Sequence, residues 1–151
     1  VAGTHGKTTP ASILGHIMNV KKATSVLGGI AENYNSNLIL GDDNISVVEA
    51  DEFDRSFLKL SPDIACVTSM DADHLDIYGQ HEELLQSFKD FTAKVSNTLI
   101  VAKGLPLTGL TYAVNEEADY YATNINIVNG TYVFDESNSG ACGDKILLEN
   151  L

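Results

Sequence analysis

Apolar residues are spaced in two different ways along this chain, and the change of spacing divides it. Near the start, Ile13, Leu14, Ile17 and Met18 recur at helical spacing. They predict a first helix from Thr8 to about Lys22. Pro10 is tolerated there because it falls in the first turn, where amide protons have no partner within the helix. Thr24 to Leu27 is a short β-prone run that leads into Gly28-Gly29, and a polar loop, Glu32 to Asn37, follows. Ile45-Ser-Val-Val48 reads as a strand and the apolar run Ile64–Val67 as the next buried strand, with a short helix starting at Asp54 or Ser56 between them. From His81 to Val95 the helical period returns, with Leu84, Leu85, Phe88, Phe91 and Val95 on one side. Thr98 to Ala102 is a further apolar strand.

After about residue 104 the period shortens to that of strands. Thr111–Val114, Tyr120–Val128 and Thr131–Asp135 alternate or cluster β-formers. Asn129-Gly130 between the last two is a hairpin signal, because both residues accept the positive φ that a tight turn requires. The fold class expected is α/β: a mainly parallel sheet flanked by helices over residues 1–104, with antiparallel hairpin strands over 105–151, at one edge or in a small second sheet.

Composition narrows the class. At 151 residues with 44% hydrophobic content, the chain holds about one domain with a real core. No apolar run approaches the roughly 18 residues of a spanning helix, and no signal-peptide pattern is present, so a cytoplasmic location is expected. Cys66 and Cys142 suggest no disulfide framework, and Cys66, within Asp63 to Thr68, reads as a buried small hydrophobe. Nine basic residues against 21 acidic give a net charge of −12. Nucleic-acid binding needs a basic face to neutralise phosphates, and this balance argues against it.

The candidate chemistry lies in three polar clusters, each directly after an apolar strand if the strand of the first is taken to lie mostly upstream of Val1. The first is Gly3-Thr4-His5-Gly6-Lys7-Thr8, followed by Thr9. Small residues let backbone amides turn toward an anion, and a helix N-terminus adds partial positive charge. Lys7 reaches outer phosphates and the Thr8 hydroxyl can hold Mg²⁺. The general pattern carries a glycine where Val1 stands, so this is a shortened variant of a phosphate-binding loop. Such loops follow a buried strand, and only Val1 and Ala2 precede this one, so the chain reads as a piece of a larger protein. The second cluster is Glu49 to Glu52 and the third is Asp71 to Asp76. In an open parallel α/β sheet, ligands bind outside the carboxyl ends of the strands, so all three clusters should face one site. Glu49 is the first polar residue after its strand and is the expected partner of Thr8 on a hard cation. Asp51, Glu52 and Asp54 are expected to be solvated or to cap turns. His74 is a candidate ligand or phosphate contact, with a structural role as the alternative. Asp71, Asp73 and Asp76, with Glu82 at the twelfth position, imitate a calcium loop, yet Asp76 stands where glycine is needed, so calcium is rejected. His16, His81 and Lys89 are expected to be structural or exposed.

Gly3 to Thr8, Glu49-Ala-Asp-Glu-Phe-Asp54 with Ser56-Phe-Leu58, and Asp73-His-Leu-Asp76 with Tyr78 together resemble the central ATPase domain of the Mur ligases. These are ATP-dependent amide-bond-forming enzymes of peptidoglycan synthesis. The resemblance spans nearly the whole chain. It implies ATP and Mg²⁺ as cofactors, with Gly3, Thr4, His5, Gly6, Lys7, Thr8 and Thr9 around the nucleotide. It implies Thr8, Glu49 and His74 at metal, and Lys7 and His74 as catalytic residues. His5, Asn35, Ser36 and Asn37 are assigned to the sugar-nucleotide side. Within the family, the histidine of the loop, the Glu-Ala-Asp-Glu form and the Gly28-Gly29 turn resemble the member that joins L-alanine to UDP-N-acetylmuramate. The alternatives are a recycling member that adds a preformed tripeptide, and a phosphate-loop module or switch without ligase activity. Pro10 departs from the family pattern and removes one amide donor. Lys89 lies near the position of a carbamylated lysine in some members and is not assigned that role. The domains that hold the sugar nucleotide and the amino acid are not in this sequence, so the chain alone is expected not to catalyse ligation.

Overall fold

The computed structural model describes residues 1–71, 81–138 and 145–148. Its contacts divide it into two compact units, Val1–Leu99 and Ile100–Leu151. In the first unit, helix α1 (Thr8–Met18) passes through a short 3-10 turn, Asn19–Lys21, into strand β1 (Ala23–Ala31). Lys22 takes a left-handed conformation at that turn, which ends the helix. The helix therefore runs where its sequence period places it, but the residues that mark it are not those it buries. Ala11 is fully buried, whereas Leu14 and Ile17 are 41% and 55% exposed. Small residues are buried because α1 lies close on β1: a Cβ on Gly15 would come 2.8 Å from the Ser25 hydroxyl.

β1 runs through the Gly28-Gly29 pair rather than stopping at it, and pairs antiparallel with β2 (Ser36–Ile39), a strand that the polar run Glu32–Asn37 conceals in the sequence. On its other side β1 is parallel to β3 (Asp42–Val48), with Ser25 opposite Val47 and Val26 opposite Val48. The segment before the loop then completes the parallel arrangement. Ala2 bridges in parallel to both Ala50 and Val67, the latter in β4 (Ile64–Val67). Ala2 N donates to Cys66 O at 2.8 Å, and Thr68 N donates to Ala2 O at 2.9 Å. The exits of β3, of residues 1–2 and of β4 thus lie side by side and point the same way.

Helix α2 (His81–Thr92) buries the stripe expected of it: Leu84, Phe88 and Phe91 are almost fully enclosed. Phe88 and Phe91 pack on Phe57 of the 3-10 turn Ser56–Lys59, with ring centroids 5.3 and 5.1 Å apart. An apolar cleft of about 490 Å³, lined by Val1, Leu14, Val47, Ile64, Ala65 and Phe91 among others, contains none of residues 3–9. Among the described residues no helix is long and apolar enough to cross a membrane.

β5 (Thr98–Ala102) runs across the boundary between the units. In the second unit its end pairs with β6 (Leu110–Val114), Ile100 opposite Leu110, and β6 pairs with β7 (Tyr120–Val128), Tyr112 opposite Tyr120. Both pairings are parallel, so the antiparallel strands expected over residues 105–151 begin only after β6. Asp119 pins the return: its carboxylate accepts from both the amide and the hydroxyl of Thr111, each at 2.7 Å. The antiparallel part begins at β7, which pairs with β8 (Thr131–Asn138), and β8 pairs with β9 (Lys145–Leu148). The β7–β8 turn is Asn129-Gly130, with φ of 53° and 81°, as its sequence requires.

Candidate phosphate-binding site

Residues 3–8 leave the sheet as a tight loop whose shape is held by the strand exit beside it. Gly3 has φ of +146°, and a Cβ there would lie 2.1 Å from Thr68 Oγ1 and 2.9 Å from Ser69 N. Only glycine fits, because one of those neighbours is backbone and cannot rotate away. Thr4 is 4% exposed. Its Oγ1 lies 3.0 Å from Ser69 Oγ and accepts from Asp71 N at 2.9 Å. His5 N donates to Ser69 Oγ at 2.7 Å, and the Thr68 hydroxyl donates to the His5 carbonyl. Thr4 N donates to Ser69 O at 3.2 Å, so the amides of Thr4 and His5 are both committed to Ser69 in this conformation. The donors at the start of α1 remain: the first helical bond is Ala11 N to Lys7 O at 3.0 Å, so the Thr8 and Thr9 amides have no partner within the helix, and Pro10 has none to offer. Those amides and the helix dipole suit an anion.

Two carboxylates from the β3 exit face this loop, and they do different things. Glu49 accepts from the Thr8 hydroxyl through Oε1 at 2.9 Å and from Gly28 N through Oε2 at 2.7 Å. Gly28 is part of the arrangement, since a Cβ there would lie 2.5 Å from the Glu49 carboxylate. A hydroxyl and a carboxylate side by side are hard oxygen donors, and a small divalent cation that keeps most of its waters takes such a pair. Glu52 overturns the expectation of a solvated or capping residue. It is fully buried, and its Oε2 and Oε1 lie 2.8 and 3.1 Å from Lys7 Nζ. Lys7 also donates to Gly3 O at 2.8 Å, so its side chain folds back over its own loop. Asp51 and Asp54 behave as expected, accepting from Phe53 N and Ser56 N at 3.0 and 2.8 Å. The hydrogen bonds from Ser56, side chain first, hold the Asp54 carboxyl below its ordinary value.

The remaining candidates fall elsewhere. His74, with Asp73, Asp76 and Tyr78, lies outside the described residues, as does Cys142. Asn35, Ser36 and Asn37 sit at the tip of the β1–β2 hairpin, beyond the Gly28-Gly29 stretch that adjoins Glu49 and Thr8. Asn35 has φ of 48°, and the Ser36 hydroxyl closes locally on the Leu38 backbone. His16 is structural, its Nδ1 2.8 Å from the Tyr34 hydroxyl. Lys89 is exposed on α2. Cys66 is only half-buried, yet burial still pushes its thiol up. Sequence reasoning missed Glu52, Gly28, Thr68 and Ser69 as shapers of the site. The signal for Gly28 was a glycine pair directly after a β-prone run. Nothing in the sequence distinguished Glu52 from Asp51 or Asp54.

With this geometry in place, comparison with known proteins is informative. Residues 1–146 match the sequence model of the Mur ligase middle domain. A UDP-N-acetylmuramate–L-alanine ligase of Flavobacterium psychrophilum is 60% identical over 139 residues, covering 89% of this chain and 31% of that protein. The chain thus spans about a third of the length of such relatives. Among solved structures, a UDP-N-acetylmuramate–alanine ligase from Thermotoga maritima superposes with a TM-score of 0.83 at 23% identity, over 97% of this chain and 35% of that one. A MurF ligase from the same organism, solved in complex with ADP, gives 0.73 at 18% identity over 97% and 39% of the two chains. At those identities the structural likeness establishes the fold, α/β with a mainly parallel sheet, and no more.

Proposed function

We propose a function from one premise: the chain belongs to the Mur ligase middle domain family. It supplies the ATP- and Mg²⁺-binding part of an enzyme that joins L-alanine to UDP-N-acetylmuramate in peptidoglycan synthesis, in the cytoplasm. The observation that carries this reading is the pairing of Thr8 with Glu49 at 2.9 Å beside the loop that presents Lys7. The 60% identity to a ligase of that name directs the choice of substrate. The ADP held by a MurF ligase of the same fold supports the choice of nucleotide.

In this reading Gly3, Thr4, His5, Gly6, Lys7, Thr8 and Thr9 surround the phosphates. Thr4 and His5 act mainly by fixing the loop against residues 68–69. The amides of Thr8 and Thr9 and the ammonium of Lys7 face the developing charge. Thr8 and Glu49 hold Mg²⁺, which neutralises phosphate charge when bound. His74 is assigned to a second metal or to the γ-phosphate, and His5 with Asn35, Ser36 and Asn37 to the sugar nucleotide. The substrate carboxylate attacks the γ-phosphate, the bond to the bridging oxygen breaks and ADP leaves, giving an acyl phosphate; the amine of L-alanine attacks that carbonyl, loses a proton, and phosphate leaves. There is little covalent work for the protein in the first step. Its contribution is positioning and charge stabilisation, and Lys7 is placed for both. The whole chain is the central part of the enzyme, with residues 1–104 carrying the parallel α/β portion and 105–151 the β-rich portion.

The test is phosphate release by the full-length polypeptide with ATP, Mg²⁺ and UDP-N-acetylmuramate, comparing L-alanine with the cell-wall tripeptide. Release that depends on L-alanine is expected. Dependence on the tripeptide alone would reassign the substrate to that of a recycling ligase. Release with neither would leave a nucleotide-binding module without ligation.

A further inference from the structure

The buried partner of Lys7 has a role that the phosphate loop alone does not explain. A lysine ammonium has three protons on a flexible four-carbon stem. Here one is directed at Gly3 O at 2.8 Å, and the two oxygens of Glu52 take up the next position at 2.8 and 3.1 Å. Glu52 is fully buried and the Lys7 side chain is 14% exposed, so the pair sits where water competes weakly for either charge. Two fixed acceptors on one side of the nitrogen leave its remaining proton direction open to a ligand. A buried carboxylate is expensive to desolvate and persists where a partner neutralises it. Asp51 and Asp54, on the same short segment, instead close turns at the surface. Glu52 alone of the three is turned inward, onto the loop lysine.

We propose that Glu52 is a positioning residue: it holds the Lys7 ammonium, before nucleotide binds, in the orientation from which it meets the transferred phosphoryl group. The inference rests on the reading of residues 3–8 as the ATP phosphate site. Glu52 itself touches no substrate. It removes the rotational freedom of the lysine ahead of the reaction, and such preorganisation acts on the transition state more than on the ground state. The rival role, a carboxylate that competes with phosphate for Lys7, predicts tighter nucleotide binding once the charge is removed, whereas positioning leaves affinity nearly unchanged.

The experiment uses the full-length polypeptide and the variants Glu52→Gln, Lys7→Met and the double variant. Turnover is followed by phosphate release, ATP·Mg²⁺ affinity by calorimetry, and folding by thermal melting. Glu52→Gln keeps the shape and removes the charge. Its expected effect is a fall in kcat of about tenfold or more with KM for ATP within about threefold, the split that marks an interaction used in the transition state. The residual turnover of Lys7→Met is expected not to fall further in the double variant, because a residue that acts on the reaction through Lys7 then has nothing left to act on. Should Glu52→Gln fail to fold, Glu52→Asp retains the charge and draws the ammonium back by one methylene, with a smaller fall in kcat at unchanged KM. Unchanged kcat per folded molecule, tighter ATP binding by Glu52→Gln, or effects that simply multiply in the double variant would each overturn the proposal. If instead Lys7→Met leaves both affinity and turnover intact, it is the assignment of the loop that fails, not the role of Glu52.

Discussion

Glycine 28 shows how a residue without a side chain can decide a site. Its backbone is extended and carries no positive-φ strain, so the reason for glycine is not conformational. The reason is space: the Glu49 carboxylate lies where a Cβ would go, and the amide beneath it donates at 2.7 Å. Gly28→Ala is therefore expected to cost little stability, less than about 1 kcal/mol, because the atoms displaced are the free end of a side chain that can swing away. The same displacement takes Glu49 off Thr8. Mg²⁺-dependent ATP affinity should fall about tenfold while the melting temperature hardly moves, and calorimetry with and without Mg²⁺ reads both. A Gly28→Ala protein with undiminished Mg²⁺ dependence would remove Glu49 from the cation site. At Gly3 the balance is reversed, because the neighbour at 2.9 Å is the Ser69 backbone, and substitution there strains the loop itself.

The elements differ in how they are held. α2 follows its sequence stripe, and its anchor is the contact of Phe88 with Phe57 at 5.3 Å. Phe88 is fully buried, so Phe88→Ala should cost about 3–5 kcal/mol, a transfer loss plus an unfilled cavity, measurable by urea titration. A change under about 1 kcal/mol would mean that this core is not packed as described. The β6–β7 return depends on polar chemistry instead. Hydrogen bonds from the Thr111 amide and then its hydroxyl hold the Asp119 carboxyl below its ordinary value. A folded pKa below the unfolded one gives stability that is present above the unfolded carboxylate pKa of about 3.9 and is lost as pH falls through the folded value. Asp119→Asn should accordingly melt below the parent near neutral pH, with the gap closing as pH is lowered under about 4. A gap independent of pH would show that shape, not charge, fixes the return. Sequence period found α2, β4 and β5 because apolar spacing is a local property. It missed β2, since Ser36 and Asn37 look like loop until β1 offers its edge. It also grouped β6 with the antiparallel strands, although β6 is parallel to both of its neighbours, because strand direction is set by the partner and not by the residues of the strand.

At the scale of the molecule, a net charge of −12 opposes any polyanion, so attraction must come from a few local groups at the start of α1. The relatives are about three times as long as this chain, which covers 31% of one of them. On that ground the chain by itself is expected to bind ATP·Mg²⁺ and to release no phosphate in response to UDP-N-acetylmuramate and L-alanine. Turnover by the isolated chain at the rate of the full-length polypeptide would sink this division of labour. The sequence by itself determined the glycine-containing turn ahead of α1, the fold class and the place of Glu49 at its strand end, because each depends on a few adjacent residues. Only the tertiary structure decided which carboxylate meets which residue of the loop. Glu49, Asp51, Glu52 and Asp54 are one acidic run in the sequence. In space Glu49 faces Thr8, Glu52 is buried on Lys7, and the two aspartates close turns. That sorting depends on the direction in which each side chain leaves a curved segment and on what another part of the chain has brought there, and neither is a local property of the sequence.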